Sequence, residues 1–156
     1  MNLIDIETAL ARYFNYRTNI IVPNVSWGMF THECDLLVLT PAGYATEVEI
    51  KTNKYDLLRD KKKKHGHHST RIKFLYFAIP EILAEYQEHI PDRAGIITLD
   101  YYPGSTTLRC KTIRNAKRNS DYKFSAEERY QLARLGTMRI WTLKNTIAGM
   151  SPLSRL

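Results

Sequence analysis

Three short runs in this chain are too apolar to lie on a half-solvated surface. Asp35–Thr40 reads DLLVLT, Phe74–Ile79 reads FLYFAI and Ala94–Leu99 reads AGIITL. Such runs suit strands covered on both faces, so helices must pack against both sides of a sheet. Pro80 opens a helix expected to reach about His89, because proline is tolerated in a first helical turn. Strand, helix, strand from 74 to 99 implies a crossover and a parallel pair. By contrast, only the tight turn Pro41-Ala42-Gly43 separates Asp35–Thr40 from Tyr44–Lys51, so those two strands form a hairpin.

The remaining elements follow from periodicity and punctuation. Leu3, Ile6, Leu10, Tyr13 and Phe14 recur at helical spacing and predict an amphipathic helix over about 3 to 16. Ile20-Ile21-Val22-Pro23 predicts a short strand ended by proline. Lys54 to about Lys64 reads as a helix, broken near Gly66. Tyr101–Lys111 reads as an outer hairpin or irregular edge, and Asn115–Lys123 as a basic connector. Ser125 caps a last helix running to about Lys144, with Glu127 and Glu128 facing its positive end. The expected fold is α/β: a mixed sheet flanked by helices, plus a C-terminal helix. A single domain is expected over 1–156, its core at about 3–100 and a C-terminal extension at about 101–156.

Lys plus Arg number 23 against 16 acids, a net charge of +7 that favours polyanions. No segment approaches the apolar length of a membrane span, and the first residues lack a signal-peptide layout, so no membrane contact and a cytoplasmic location are expected. Cys34 and Cys110 stand in no metal-ligand spacing and are expected as two thiols.

Strand Tyr44–Lys51 alternates, with Thr46, Val48 and Ile50 on one face and Glu47, Glu49 and Lys51 on the other. The turn brings Asp35 across the hairpin towards Glu49 or Glu47. Neighbouring carboxylates repel, and a divalent cation removes the difficulty. A lysine two residues along can orient a water and stabilise charge on a phosphate. Glu-x-Lys is also common on solvated sheets, where such pairs are worth little. What favours chemistry is the apolar strand that Asp35 heads and the basic helix that follows. Glu7 falls within the apolar stripe of the first helix, as a site carboxylate or as a boundary residue reaching water.

The runs Asp35-Leu36-Leu37-Val38-Leu39 and Glu47-Val48-Glu49-Ile50-Lys51-Thr52, followed by Asp56–Lys62, Phe74–Pro80 and Ala94–Ile97, resemble the PD-(D/E)XK nuclease superfamily. Within it they are most similar to the MmcB-type group of proposed DNA-repair nucleases, over roughly residues 5 to 100. The resemblance implies a restriction-endonuclease-like αβββαβ core and a metal-dependent deoxyribonuclease acting in repair, recombination or phage DNA processing. It implies Mg²⁺, with Mn²⁺ as substitute, on Asp35, Glu49 and the main-chain carbonyl of Ile50, with Lys51 positioning water. Glu7 occupies the place of a further glutamate found in some branches. Cys34 stands where a proline is usual, and Glu47 is an extra acid, either a second metal ligand or a rim charge; the strand-face argument favours the rim. The alternative is a DNA-binding or accessory subunit on the same fold that does not cut, with a homodimer or partner subunit open in either case.

For the DNA backbone the candidates are Lys54, Arg59, Lys61, Lys62, Lys64, His67 and Arg71, set against the plain reading of a solvated charge run. His65, His67 and His68 invite a zinc assignment, but their spacing favours a flexible loop, with phosphate contact open to it. His32 and Glu33, just before Asp35, read as loop residues in preference to groups that support the site's ligands from behind. Tyr101, Tyr102 and Tyr122, near Arg109, Lys111, Arg114, Lys117 and Arg118, suit base stacking or an edge strand. Trp27 reads as core or lid, and Trp141 as core.

Overall fold

A computed structural model of the protein describes residues 1–26, 32–60 and 67–149, the side chain of Asp60 excepted. Helix α1 spans Leu3–Tyr13 and is followed by β1 (Ile20–Val25), β2 (Cys34–Leu39) and β3 (Ala45–Ile50). Helix α2 (Lys54–Asp60) leads to β4 (Ile72–Pro80), a 3₁₀ segment (Glu81–His89), β5 (Gly95–Tyr101), β6 (Leu108–Arg114) and α3 (Ala126–Ile147). The six strands form one mixed sheet in chain order. The hairpin is antiparallel, with Leu36 opposite Val48 and Leu37 opposite Glu47. The two crossovers make β3–β4 and β4–β5 parallel, and β6 returns antiparallel to β5.

Both faces of the sheet are covered, as the apolar runs require. Ile6, Ala9 and Leu10 of α1 pack on Leu36, Val38, Val48, Ile50, Ala78 and Ile97. On the opposite face, Leu132 of α3 and Phe124 join Val22, Leu37, Leu39 and Ala45. Further along that face, Leu57 of α2 and Leu83 of the 3₁₀ segment cover Leu75, Phe77, Ile79 and Ile96. This second face therefore carries two apolar patches, and β3 runs between them.

Several expectations shift. Strand β1 continues through Pro23 to Val25, which its edge position allows because a proline there removes no central ladder bond. The segment after Pro80 is a 3₁₀ helix with a non-helical residue at Tyr86 rather than an α-helix. Trp141, expected in the core, is 60% exposed on the C-terminal half of α3. Ser125 does cap α3, within a capping box whose other half is the Glu128 side chain. The expected helical residues 61–64 and Trp27 lie outside the described residues.

Candidate functional site

Strand β3 alternates as its sequence dictates. Val48 and Ile50 face α1, and Ala45 faces α3. Glu47, Glu49 and Lys51 share the parity of Ala45 and fall in the seam between the two patches. All three are buried, at 0%, 1% and 4% exposure. Lys51 Nζ donates to Glu49 Oε2 at 3.0 Å, and the Lys51 N–H donates to the Ala78 carbonyl of β4. A solvated Glu-x-Lys pair is thus excluded.

Glu47 corrects the sequence reading. It is not a rim charge: Leu37 of β2 and Leu75 of β4 flank it in the sheet, and no part of it reaches solvent. Glu47 Oε1 lies 2.8 Å from His32 Nε2 and 2.9 Å from His67 Nδ1. Burial raises the Glu47 carboxyl pKa, but the hydrogen bonds and charge interactions with the two imidazoles outweigh it, so the net shift is downward. His67 is therefore not placed to touch DNA; it is 2% exposed, its ring packs edge-on against Phe77 at 5.6 Å, and its Nδ1 lies 3.7 Å from Glu49 Oε1. His32, read as a loop residue, is also buried. His68 is exposed, and His65 lies outside the described residues. Sequence spacing carried no signal for this cluster, because His32 and His67 lie 15 and 20 residues from Glu47 on segments that only the sheet brings together.

Asp35 is partly buried, and its Oδ2 accepts the Ile50 N–H at 2.7 Å. Glu7 of α1 is brought to the same end of the sheet. Burial, and then the charge of Asp35, raise the Glu7 carboxyl pKa, against a hydrogen bond from Asn24. The Cys34 thiol is pushed up strongly by burial first, and then by Glu47, Glu49, Asp35 and Glu33. Four carboxylates therefore surround this thiol, which stays protonated. Asp35 thus influences Glu7, and Asp35, Glu47 and Glu49 all influence Cys34, while among the described residues the group of three potential ligands within 4.8 Å of one another is His32, Glu47 and His67.

The basic candidates divide. Arg59 is exposed on α2, its guanidinium 5.4 Å from the Tyr55 ring centre, and Lys54 is exposed with its ammonium 4.1 Å from the Tyr86 ring. Arg71 is held instead by Glu128 and by the Tyr122 hydroxyl, and its guanidinium lies over the Tyr122 ring. It ties the approach to β4 to the start of α3 rather than standing ready for a phosphate. Lys61, Lys62 and Lys64 lie outside the described residues. Tyr122 belongs to the Arg71–Glu128 network, while Tyr102 is exposed between β5 and β6.

The fold and site together define a class: an α/β protein whose mixed six-stranded sheet carries buried acidic and basic side chains on its third strand. Among solved structures the chain is similar to SPO1766, a protein of unknown function from Silicibacter pomeroyi. The TM-score is 0.64 at 16% identity, covering 96% of this chain and 94% of that one. At this identity the likeness establishes the fold alone. No family model and no curated protein matches the chain. No described helix is long and apolar enough to cross a membrane.

Proposed function

We propose that the protein is a metal-dependent deoxyribonuclease of the PD-(D/E)XK type. The observation that carries this reading is the burial of the Glu49–Lys51 pair at 3.0 Å at the end of β3, where Asp35 of β2 accepts the Ile50 N–H between them. A buried ion pair is weak evidence for stability, since desolvation offsets most of its attraction, and so it invites a functional explanation. The donor set suits a hard divalent cation: Asp35, Glu49 and the Ile50 carbonyl would offer oxygen ligands, and Glu7, its carboxyl pKa raised by burial first and then by the charge of Asp35, is a further oxygen donor near Asp35. When bound, Mg²⁺ supplies Lewis-acid polarisation of a phosphate oxygen and a lowered pKa for water. Asp35 and Glu49 would hold it. Lys51, paired with Glu49 at 3.0 Å, would orient the attacking water and stabilise charge on the phosphate. Arg59 and Lys54 on α2 bind the DNA backbone.

The test is cleavage of supercoiled, linear, single-stranded and branched DNA with Mg²⁺, with Mn²⁺ and with chelator, beside Asp35→Ala, Glu49→Gln and Lys51→Ala. Metal-dependent cutting, reduced at least a hundredfold by each substitution in folded protein, is expected. Full activity in Lys51→Ala refutes the assignment. A second reading, a DNA-binding or accessory subunit that does not cut, is favoured by the 4% exposure of Lys51, whose ammonium is turned inward. Salt-sensitive DNA binding without cleavage selects it.

A further inference from the structure

We propose that His32, Glu47 and His67 form a second metal centre, one that takes a zinc-class transition cation. Nothing in the nuclease reading requires these three residues. One nitrogen from each imidazole and one oxygen from the carboxylate all lie within 4.8 Å of one another, and all three residues are buried. In tetrahedral zinc coordination the donors stand roughly 3.3 Å apart, from ligand bonds of about 2.0–2.1 Å. The two nitrogens here are 2.8 and 2.9 Å from Glu47 Oε1, so an opening of about half an ångström, well within side-chain adjustment, admits the ion.

A simpler role for the histidines is to neutralise a buried carboxylate. That role leaves one feature unexplained. Both imidazoles converge on Glu47 Oε1, while Oε2 is buried with no hydrogen-bond partner among the described residues. An orphaned buried oxygen costs on the order of 1–3 kcal/mol, more when charged. A cation bound by the carboxylate removes that cost. Glu49 Oε1, 3.7 Å from His67 Nδ1, stands within reach as a fourth donor. Two imidazoles with one or two carboxylates suit Zn²⁺, Co²⁺, Ni²⁺ or Fe²⁺, and not Mg²⁺, which keeps oxygen ligands and water. The two acids together match the two charges of such an ion, with Lys51 left beside Glu49 Oε2. His67 also holds its backbone at φ +56°, sparsely populated for a residue with a side chain, a conformation that persists where its surroundings hold it.

The probe is the metal alone. Untagged protein, purified without chelator, is assayed for bound metals by plasma mass spectrometry. Chelator-treated protein is then titrated with Co²⁺ and Zn²⁺ while visible absorption is followed. One equivalent per chain is expected, with an intense tetrahedral Co²⁺ band that Zn²⁺ displaces. Uptake should fall at least tenfold in Glu47→Gln and in His67→Ala, each checked for native circular dichroism, and His32→Ala provides a third variant should either fail to fold. Folded wild-type protein that neither contains nor takes up metal overturns the proposal, and so does undiminished uptake in the folded variants. Asp35→Ala retains the equivalent. Wild-type protein that takes up Co²⁺ but cuts no DNA fails the nuclease reading, on which this proposal does not rest, and protein that cuts DNA with Mg²⁺ but shows no Co²⁺ band fails this proposal alone.

Discussion

A double-mutant cycle on Glu49 and Lys51 tests whether the pair behaves as a buried one. At 3.0 Å and an effective dielectric constant near 20, the Coulomb attraction is about 5 kcal/mol. Desolvating each ion costs several kcal/mol, so the net worth of the pair is small. Removing one partner is a different matter. Lys51→Met leaves the Glu49 charge buried beside Glu47, and breaking a buried pair in this way costs about 3–5 kcal/mol. With a urea slope near 2 kcal/mol/M, the unfolding midpoint should fall by roughly 2 M. The double variant Glu49→Gln/Lys51→Met removes both charges and should recover a large part of that loss, giving a coupling of roughly 2–3 kcal/mol. Urea unfolding of the four proteins measures it. A coupling below about 0.5 kcal/mol refutes the reasoning, because that is the worth of a solvated pair.

Gly95→Ala should destabilise the protein by about 1–3 kcal/mol, since a Cβ there would meet the Tyr76 ring at 2.2 Å and the Ala116 amide at 2.7 Å; thermal melting should show a drop of several degrees. Glu128 closes the capping box of α3 and ion-pairs with Arg71. Burial raises its carboxyl pKa, but the Ser125 amide, the Tyr122 hydroxyl and Arg71 lower it more, so the net shift is downward. Its contribution is therefore complete above its ordinary value of 4.5 and is lost as pH falls through the lower folded value; Glu128→Gln should flatten the acid limb of a stability–pH curve, and an unchanged limb counts against the network. Cys34 should resist thiol reagents at pH 8 until the chain unfolds. Cys110, half-buried and pushed up to about 11, should react slowly in the native state.

What the sequence disclosed depended on how local the physics was. The hairpin was legible because Pro41-Ala42-Gly43 and the strands on either side are contiguous, and α3 because Ser125 and Glu128 stand three residues apart. The parallel β4–β5 pair followed from two apolar runs joined by a crossover, whereas the parallel β3–β4 pair was not read. The 3₁₀ segment was not legible, since residues 81–89 satisfy an α-helical reading equally well and the kink at Tyr86 has no punctuating residue. Trp141 misled because an aromatic residue on a helix usually faces a core; here Met138, Ile140 and Leu143 around it are also more than half exposed. Glu47 misled for a deeper reason. Alternation fixes which face a strand residue takes but not whether that face is covered, and here the cover comes from His32 and His67, placed by segments of no regular structure.

That last point bears on how one strand can hold so much charge. Glu47, Glu49 and Lys51 in a seam between apolar patches carry a net charge of −1 before any partner is counted. A buried charge of that size is tolerated only where something positive is held beside it. A transition cation at Glu47 or a hard cation at Glu49 would each supply that charge and turn the net to +1, and they differ in what they do to the protein. A zinc-class ion would fix His32 and His67, and with them the segments leading into β2 and β4. A Mg²⁺ ion at Asp35 and Glu49 would act at the opposite end of the same group of acids. The seam therefore couples the two proposed centres through Glu49, whose Oε2 holds Lys51 and whose Oε1 faces His67. Filling the histidine centre first should stiffen Glu49 and so set the position of Lys51, which on the proposed nuclease reading precedes substrate binding.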